Sequence, residues 1–513
     1  MASAQVEERE LLRAMTWYDG FVVALANPSF LLTALGGSVI TLGGWGAIVV
    51  WLISVLVGGL HNNLYAELAA MFPKLAGGVA IFAHEAWKRY TAFVGPIAAV
   101  GYWLGWSVVL AINGLIVGQL LQHQFYTGST AANSSWTHHS ALILGVNADI
   151  NFPILVGIVL IAAIWVANVF GVRPAVWTGY VTGALLLVPL AVLIIVPYIT
   201  GDWSSGNLHN NIHPLSSITG DTGIRLVIVW LYLMCWSSYG FECCATFAPE
   251  YIDPARDTAR SLRAAAVFCI FVYGLLPLGA VGTFGDKNIT FDNALFFYGD
   301  TFKILVGSGL ANVLVIMLCA GLVLSMNTAT MDGSRALYGI SQDGMTFRWL
   351  GKLNARRVPG NAMTLDALLN VVLLICAIGA VGQGYLKVLA VSNFGYVIAH
   401  VFAISGFLLL RRDRPNWPRP IRVGSGWIPV AWFCLVYDFI LLVVGSISFK
   451  LTGYGSSWTI LAWSLVVPVV AFLAYVWRVV VEDKKPLRWS LPAPTTPEEE
   501  AAMHAAGQAA TTT

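Results

Sequence analysis

Glu242 stands in the stretch WSSYGFECCATFAPEYIDP, residues 236–254, inside a long apolar run. An ionised side chain at bilayer depth costs on the order of 2.5–3.5 kcal/mol on insertion scales, so an acidic residue there is a functional candidate by default. The chemistry open to such a group is to take up and release a proton as its access to water changes. Beside it, Ser237, Ser238 and Gly240 make a weak helical stretch in mid-membrane. A second weak stretch lies in WYDGFVVALANPSFLLTALGGSVI. There Pro28 lacks an N–H and disfavours helix at Asn27, while the side chains of Asn27 and Ser29 offer substitute hydrogen bonds.

The elements that must hold these residues follow from composition. The chain has 513 residues, of which 58% are hydrophobic and only 11% charged, with a mean hydropathy of +0.74. A water-soluble surface cannot be built from that proportion of charge. The apolar residues gather into runs long enough to cross hydrocarbon as helices, which predicts an all-α polytopic membrane protein. Twelve spans are expected, the first six at 18–42, 44–70, 92–122, 151–171, 174–199 and 224–250. The other six are expected at 261–284, 304–338, 362–381, 386–410, 427–447 and 458–480. With both termini cytoplasmic, all of the 28 lysines and arginines except Arg225, Lys287, Lys303, Lys387 and Lys450 fall inside. That asymmetry supports the count, because one missed span would reverse every later loop. The outer loops at 123–150 and 200–221 carry no lysine or arginine and are expected to be solvated connections.

A helix in lipid must satisfy its own backbone, so breaks persist only where protein or a water-lined cavity supplies partners. The two weak stretches fall in the first and sixth spans, corresponding members of two five-helix halves, and paired interruptions of this kind point to an alternating-access site. Open N–H groups there suit an anion and open carbonyls a cation. A zwitterion needs both, which makes an amino acid or related amine a natural ligand. The substrate-contacting candidates are Ala26, Asn27, Pro28, Ser29 and Phe30 in the first span, and Trp236, Ser237, Ser238, Tyr239 and Gly240 in the sixth.

Other chemistries find little support. There is no Walker A sequence, no dinucleotide-binding glycine fingerprint and no nucleophile–base or metal constellation, so neither an enzyme, a cofactor nor a nucleic-acid partner is expected. The seven cysteines all lie in predicted spans and read as small buried packing residues. Besides a small-molecule substrate, the lipid bilayer is the expected partner, with a homo-oligomer left open.

Four segments in order resemble the amino acid–polyamine–organocation permease superfamily: YAELAAMFPKLAGGVAIFAHEAW, GFECCATFAPEYIDPARDTARSLRAA, GSRALYGISQDGMTFRWLGKLNARRVPGNA and RRDRPNWPRPIRV. The resemblance covers about residues 14–480. It implies a five-plus-five inverted repeat with two additional helices and discontinuous helices 1 and 6. It also implies transport of amino acids, polyamines or related amines across the cytoplasmic membrane by proton symport or exchange. Trp236, Ser237, Gly240 and Glu242 match the W-S-x-x-G-x-E pattern of the arginine/agmatine antiporter branch. The match implies Trp236 as an aromatic gate beside the ligand and Glu242 as the proton-responsive group. Tyr102, in GYWLGWS, matches an aromatic that faces the site in that branch. The chain departs from the family in having Ala26-Asn27-Pro28-Ser29-Phe30 where a glycine-rich segment is usual, and no lysine in span 5.

On this reading residues 1–17 form a cytoplasmic segment, 18–410 the transport core, 411–480 two further helices and 481–513 a disordered cytoplasmic tail. Ser325, Asn327 and Thr328 in span 8 are candidate ion or gate residues. In an alternative reading, a sodium-coupled carrier or inorganic cation uptake on the same scaffold, Asn27 and those side chains are oxygen ligands. Glu67 and His61 are expected at a helix end or gate, Asp438 in packing or a subunit contact, and His400 in an interhelical hydrogen bond. Local pairs, Asp332 with Arg335 and Glu250 with Arg256, are expected near the cytoplasmic surface.

Overall fold

The structure, a computed structural model, describes residues 10–139, 148–213, 223–378, 384–496 and 498–499. Among these residues ten helices are long and apolar enough to cross a membrane. Large apolar side chains such as Phe271, Leu310, Val313, Trp432 and Phe439 point outward, as a lipid-covered surface requires.

The chain begins with α1 (Trp17–Ala24). Thr16 starts it by donating from its N–H and its hydroxyl to the Asp19 carboxylate, at 2.7 and 2.8 Å, a cap worth about 1 kcal/mol. Next comes α2 (Asn27–Met71), in reality two helices joined at Gly43, whose φ of +75° only glycine adopts without strain. The outer loop holds this corner. Asp286 accepts from the Gly44 N–H at 2.9 Å and from His209, and Asn211 donates its N–H to the Leu42 carbonyl at 3.0 Å. Burial works to raise the Asp286 carboxyl, but the N–H groups of His209 and Gly44 outweigh it and hold the group below its usual range. Residues 204–213 therefore brace the first corner rather than simply connecting two spans; residues 214–222 lie outside the described residues.

Then follow α3 (Gly78–Trp87), α4 (Val94–Ser107), α5 (Val109–Phe125), α6 (Phe152–Val169) and α7 (Val172–Thr200). The third expected span is thus divided at Val108. A two-stranded antiparallel ribbon, Ser135–His139 with Ala148–Asn151, decorates the loop before α6. Helix α8 (Ile224–Ser238) passes into a 3₁₀ segment, Gly240–Glu250, far longer than the three or four residues usual for that geometry. Asp253 caps α9 (Pro254–Phe284), its carboxylate accepting the Arg256 N–H at 3.3 Å with Pro254 in the first turn. The remaining helices are α10 (Phe297–Gln342, broken at Gly307), α11 (Gly360–Leu373), α12 (Gly384–Asp413), α13 (Trp427–Ile440) and α14 (Ser457–Val476).

Both ends of the described chain are strapped down. The Ala14 and Met15 N–H groups donate to the Glu250 carbonyl at 3.0 Å, and Ile252 donates back to Met15. At the other end, Ala92 donates to the Trp489 carbonyl and Leu491 to that of Lys88, both at 2.8 Å. The expectation of a disordered tail from residue 481 is corrected for this stretch: Asp483 bonds Arg348 and Arg478, and Trp489 packs edge-on against Phe93. Residues 497 and 500–513 lie outside the described residues, as do residues 1–9 of the expected N-terminal segment.

Candidate functional site

Both expected interruptions are present, and they face each other. Between α1 and α2 the chain turns at Leu25 and Ala26; between α8 and the 3₁₀ segment it turns at Tyr239. Gly240 lies so close to Asn27 that a Cβ there would sit 2.4 Å from the Asn27 Oδ1. A larger residue there would push the Asn27 amide aside.

The carbonyls at the breaks are not open, as the sequence suggested, but satisfied by side chains. Asn27 Nδ2 donates to Ala24 O at 3.0 Å, Ser29 Oγ to Ala26 O at 2.5 Å and Thr328 Oγ1 to Val23 O at 2.9 Å. Tyr273 of α9 spans the two breaks, its hydroxyl 2.8 Å from Asn27 O and 2.9 Å from Ser237 O, while Ser237 Oγ lies 2.8 Å away as the donor to it. One hydroxyl proton shared between two carbonyls ties the first span to the sixth. Nothing in the sequence singled out Tyr273, because a tyrosine in span 7 has no local reason to meet spans 1 and 6. Tyr273→Phe is expected to cost about 1 kcal/mol and to weaken ligand binding several-fold, measured as a smaller ligand-induced rise in Tm than in the parent protein.

Aromatic rings line the crevice. Phe30 packs against Trp236 at 5.0 Å and Trp106 at 5.7 Å between ring centroids, and Trp236 Nε1 donates to Gly105 O at 2.7 Å. Trp106 donates to Glu242 Oε1 at 3.4 Å. Tyr396 of α12 donates to the same oxygen at 2.8 Å and stacks on Tyr102 at 5.8 Å. Tyr396 reaches it because α4 and α12 touch at Gly101 and Gly395, where a Cβ on Gly101 would meet Gly395 O at 2.4 Å. Glu242 is 1% exposed, and its Oε2 has no hydrogen bond. Asn27 Oδ1 is likewise buried and unpartnered, so two acceptors flank Trp106 with their capacity unused.

Not every candidate converges here. Pro28 occupies the first turn of α2, where its missing N–H does no harm. Ser238 Oγ meets Ser54 Oγ at 2.6 Å, and Tyr239 donates to Asp438 at 3.0 Å, away from the crevice. Of the span 8 candidates, Thr328 reaches the first break. Ser325 instead accepts from Asn113 at 2.5 Å, and Asn327 bonds Asn168 and Ala175 O, both at 2.9 Å.

The charged pairs are also rearranged. Arg335 takes Glu250 bidentately, with Nη2 to Oε2 at 3.0 Å, rather than Asp332, and the Asp332 oxygens accept no hydrogen bond. Glu67, buried in α2, pairs with Arg411 and with Arg419 at 3.2 Å.

A family model described as amino acid permease matches residues 18–474. The chain belongs to the amino acid permease family. Among its relatives in this family is the branched-chain amino acid permease BcaP of Lactococcus lactis, 24% identical over 72% of this chain and 75% of that protein. The amino-acid permease BAT1 of Arabidopsis thaliana is 21% identical over 83% of this chain and 84% of that protein. The amino-acid permease RocE of Bacillus subtilis is 20% identical over 80% and 84%. As a member of the amino acid permease family the chain is an integral multi-pass membrane transporter, not an enzyme.

Proposed function

We propose that this permease is a secondary active carrier of an amino acid or related small amine, with the ligand held between the two breaks and Glu242 as its proton-responsive group. The observation that carries the reading is the contact of Gly240 with Asn27 beside two unpartnered buried acceptors. An ammonium group would satisfy Asn27 Oδ1 and Glu242 Oε2, while the Phe30, Trp106 and Trp236 rings would exclude water around it. The relatives' names, two of them plain amino-acid permeases, favour the same class of ligand.

Twelve spans follow if Trp17–Met71 is divided at Gly43 and the shorter apolar helix Gly360–Cys376 is added to the ten long ones. With that count the lysine and arginine asymmetry puts both termini in the cytoplasm. Two five-helix halves would then rock about the crevice, opening it to one side and then the other. Protonation of Glu242 would change its bonds to Tyr396 and Trp106 and so bias the two states.

The test is uptake by proteoliposomes containing the purified full-length chain, across amino acids and polyamines, with and without an inward proton gradient. Uptake of at least one amino acid, raised by the gradient, is expected. No uptake of any of them would remove the reading, and uptake that follows sodium instead of protons would replace Glu242 with an oxygen-ligand site around Thr328.

A further inference from the structure

A second group of buried titratable side chains lies beside the crevice, and the crevice does not account for it. His61 of α2, Tyr239, His400 of α12 and Asp438 of α13 are each at most 1% exposed. Asp438 Oδ1 accepts from the Tyr239 hydroxyl at 3.0 Å, and Oδ2 lies 3.3 Å from His61 Nε2. The ring is within ion-pair reach but not turned to hydrogen-bond, so Asp438 Oδ2 and both His61 nitrogens have no hydrogen-bond partner. The His61 and His400 rings stack at 5.7 Å and 25°, and Tyr239 packs edge-on against both, at 4.6 and 5.3 Å. His400 links the group to the crevice. Its Nδ1 lies 2.7 Å from the Tyr65 hydroxyl and its Nε2 4.0 Å from Glu242 Oε1.

A carboxylate alone at this depth would be costly, and so would a lone imidazolium. Together they hold one proton at zero net charge, either as carboxylic acid with neutral imidazole or as carboxylate with imidazolium. Among the described residues no lysine or arginine forms an ion pair with Asp438. The groups around it are His61 and Tyr65 from α2, Cys235 from α8 and Tyr239 just after it, and Cys434 and Tyr437 on its own helix. Tyr396 and His400 of α12 close the side towards Glu242. Tyr239 immediately precedes Gly240, so movement at the sixth-span break changes the hydrogen bond that Asp438 receives.

From this geometry we infer that His61 and Asp438 form a second proton-binding site, coupled to Glu242 through His400 and to the sixth-span break through Tyr239. Helix α13 is thereby part of the coupling machinery and not only packing. On this inference Asp438 does more than the packing or subunit contact expected of it, and the inference rests on the reading of Glu242 as the coupling group.

The experiment is infrared difference spectroscopy of the purified full-length chain, titrated between about pH 5 and 8, alongside uptake in proteoliposomes. Among the protonated-carboxyl bands of the parent protein, one is expected to be lost in Glu242→Gln and another in Asp438→Asn. Asp438→Asn is expected to lower gradient-driven uptake several-fold while leaving the ligand-induced rise in Tm in place. Should Asp438→Asn fail to fold, His61→Gln serves instead: it removes the shared proton's second seat and is expected to shift the remaining Asp438 band. Unchanged carboxyl spectra and unchanged gradient dependence in the variant that folds would overturn the inference. The two readings fail separately. If wild-type uptake ignores pH but Asp438→Asn or His61→Gln still alters a carboxyl band that titrates, Glu242 loses its coupling role and His61–Asp438 stands as a proton-binding site without the coupling. If uptake is proton-driven alike in the parent, Asp438→Asn and His61→Gln, with identical bands, while Glu242→Gln loses it, the site falls and Glu242 remains.

Discussion

Glu242→Gln is expected to leave ligand binding in place while lowering gradient-driven uptake about ten- to a hundredfold, the usual size of a coupling free energy between two sites. The argument is one of shape against charge. Glutamine keeps the volume of the side chain and a carbonyl oxygen that can still accept from Tyr396 and Trp106, the two donors to Oε1. What it loses is the proton. With 1% of its surface exposed, Glu242 would change charge only when the crevice admits water or a cationic ligand, and on the function proposed above that conditional change would link transport to a proton gradient. Uptake with and without the gradient measures the loss, and the ligand-induced rise in Tm reports binding independently. A variant whose uptake kept its full gradient dependence would remove Glu242 from the mechanism.

Arg335→Ala is expected to be the most destabilising single substitution among those considered, by about 3–5 kcal/mol. Arg335 and Glu250 are both essentially without exposed surface, at 0% and 1%. The guanidinium fork holds the carboxylate bidentately, donates to Met331 O at 2.8 Å and stacks over Phe247 at 5.0 Å. Truncating it strands a buried carboxylate next to Asp332, whose own oxygens already lack hydrogen bonds. The physical cause is separable from simple loss of volume. Combining Arg335→Met with Glu250→Leu removes both charges together, and a buried pair replaced by apolar groups often costs little. The double variant is therefore expected to recover most of the stability that Arg335→Ala loses, read as Tm in detergent at one fixed scan rate, since such unfolding is kinetic. Equal losses in the single and double variants would show that packing, not stranded charge, holds this point. The Ala14 and Met15 N–H groups donate to the main-chain carbonyl of Glu250, which Glu250→Leu retains, so this strap is expected to survive in the double variant.

The two interruptions were legible because their causes are local. Pro28 lacks a donor whatever surrounds it, and Ser237, Ser238 and Gly240 are poor helix formers in any context; the interruptions fall next to those residues, at Leu25–Ala26 and at Tyr239. Hydropathy likewise marked the spans, since a backbone in lipid must close its own hydrogen bonds. The first two spans part at Gly43, as expected, whereas the third is divided at Val108 and the eighth starts earlier and breaks at Gly307. The charge pairs were misassigned for an equally physical reason. Asp332 and Arg335 are near neighbours in sequence, but Glu250, which Arg335 grips, belongs to another span.

By itself, then, the sequence determined that this is a helical membrane protein of the permease family, where its first and sixth spans are interrupted, and that Glu242 lies at membrane depth. Only the tertiary structure decided that Tyr273 bridges the two breaks, that Tyr396 and Trp106 hold Glu242, and that Asp438 meets His61. Those contacts join residues on different helices, where the helix packing chooses the partner and no spacing along the chain encodes it.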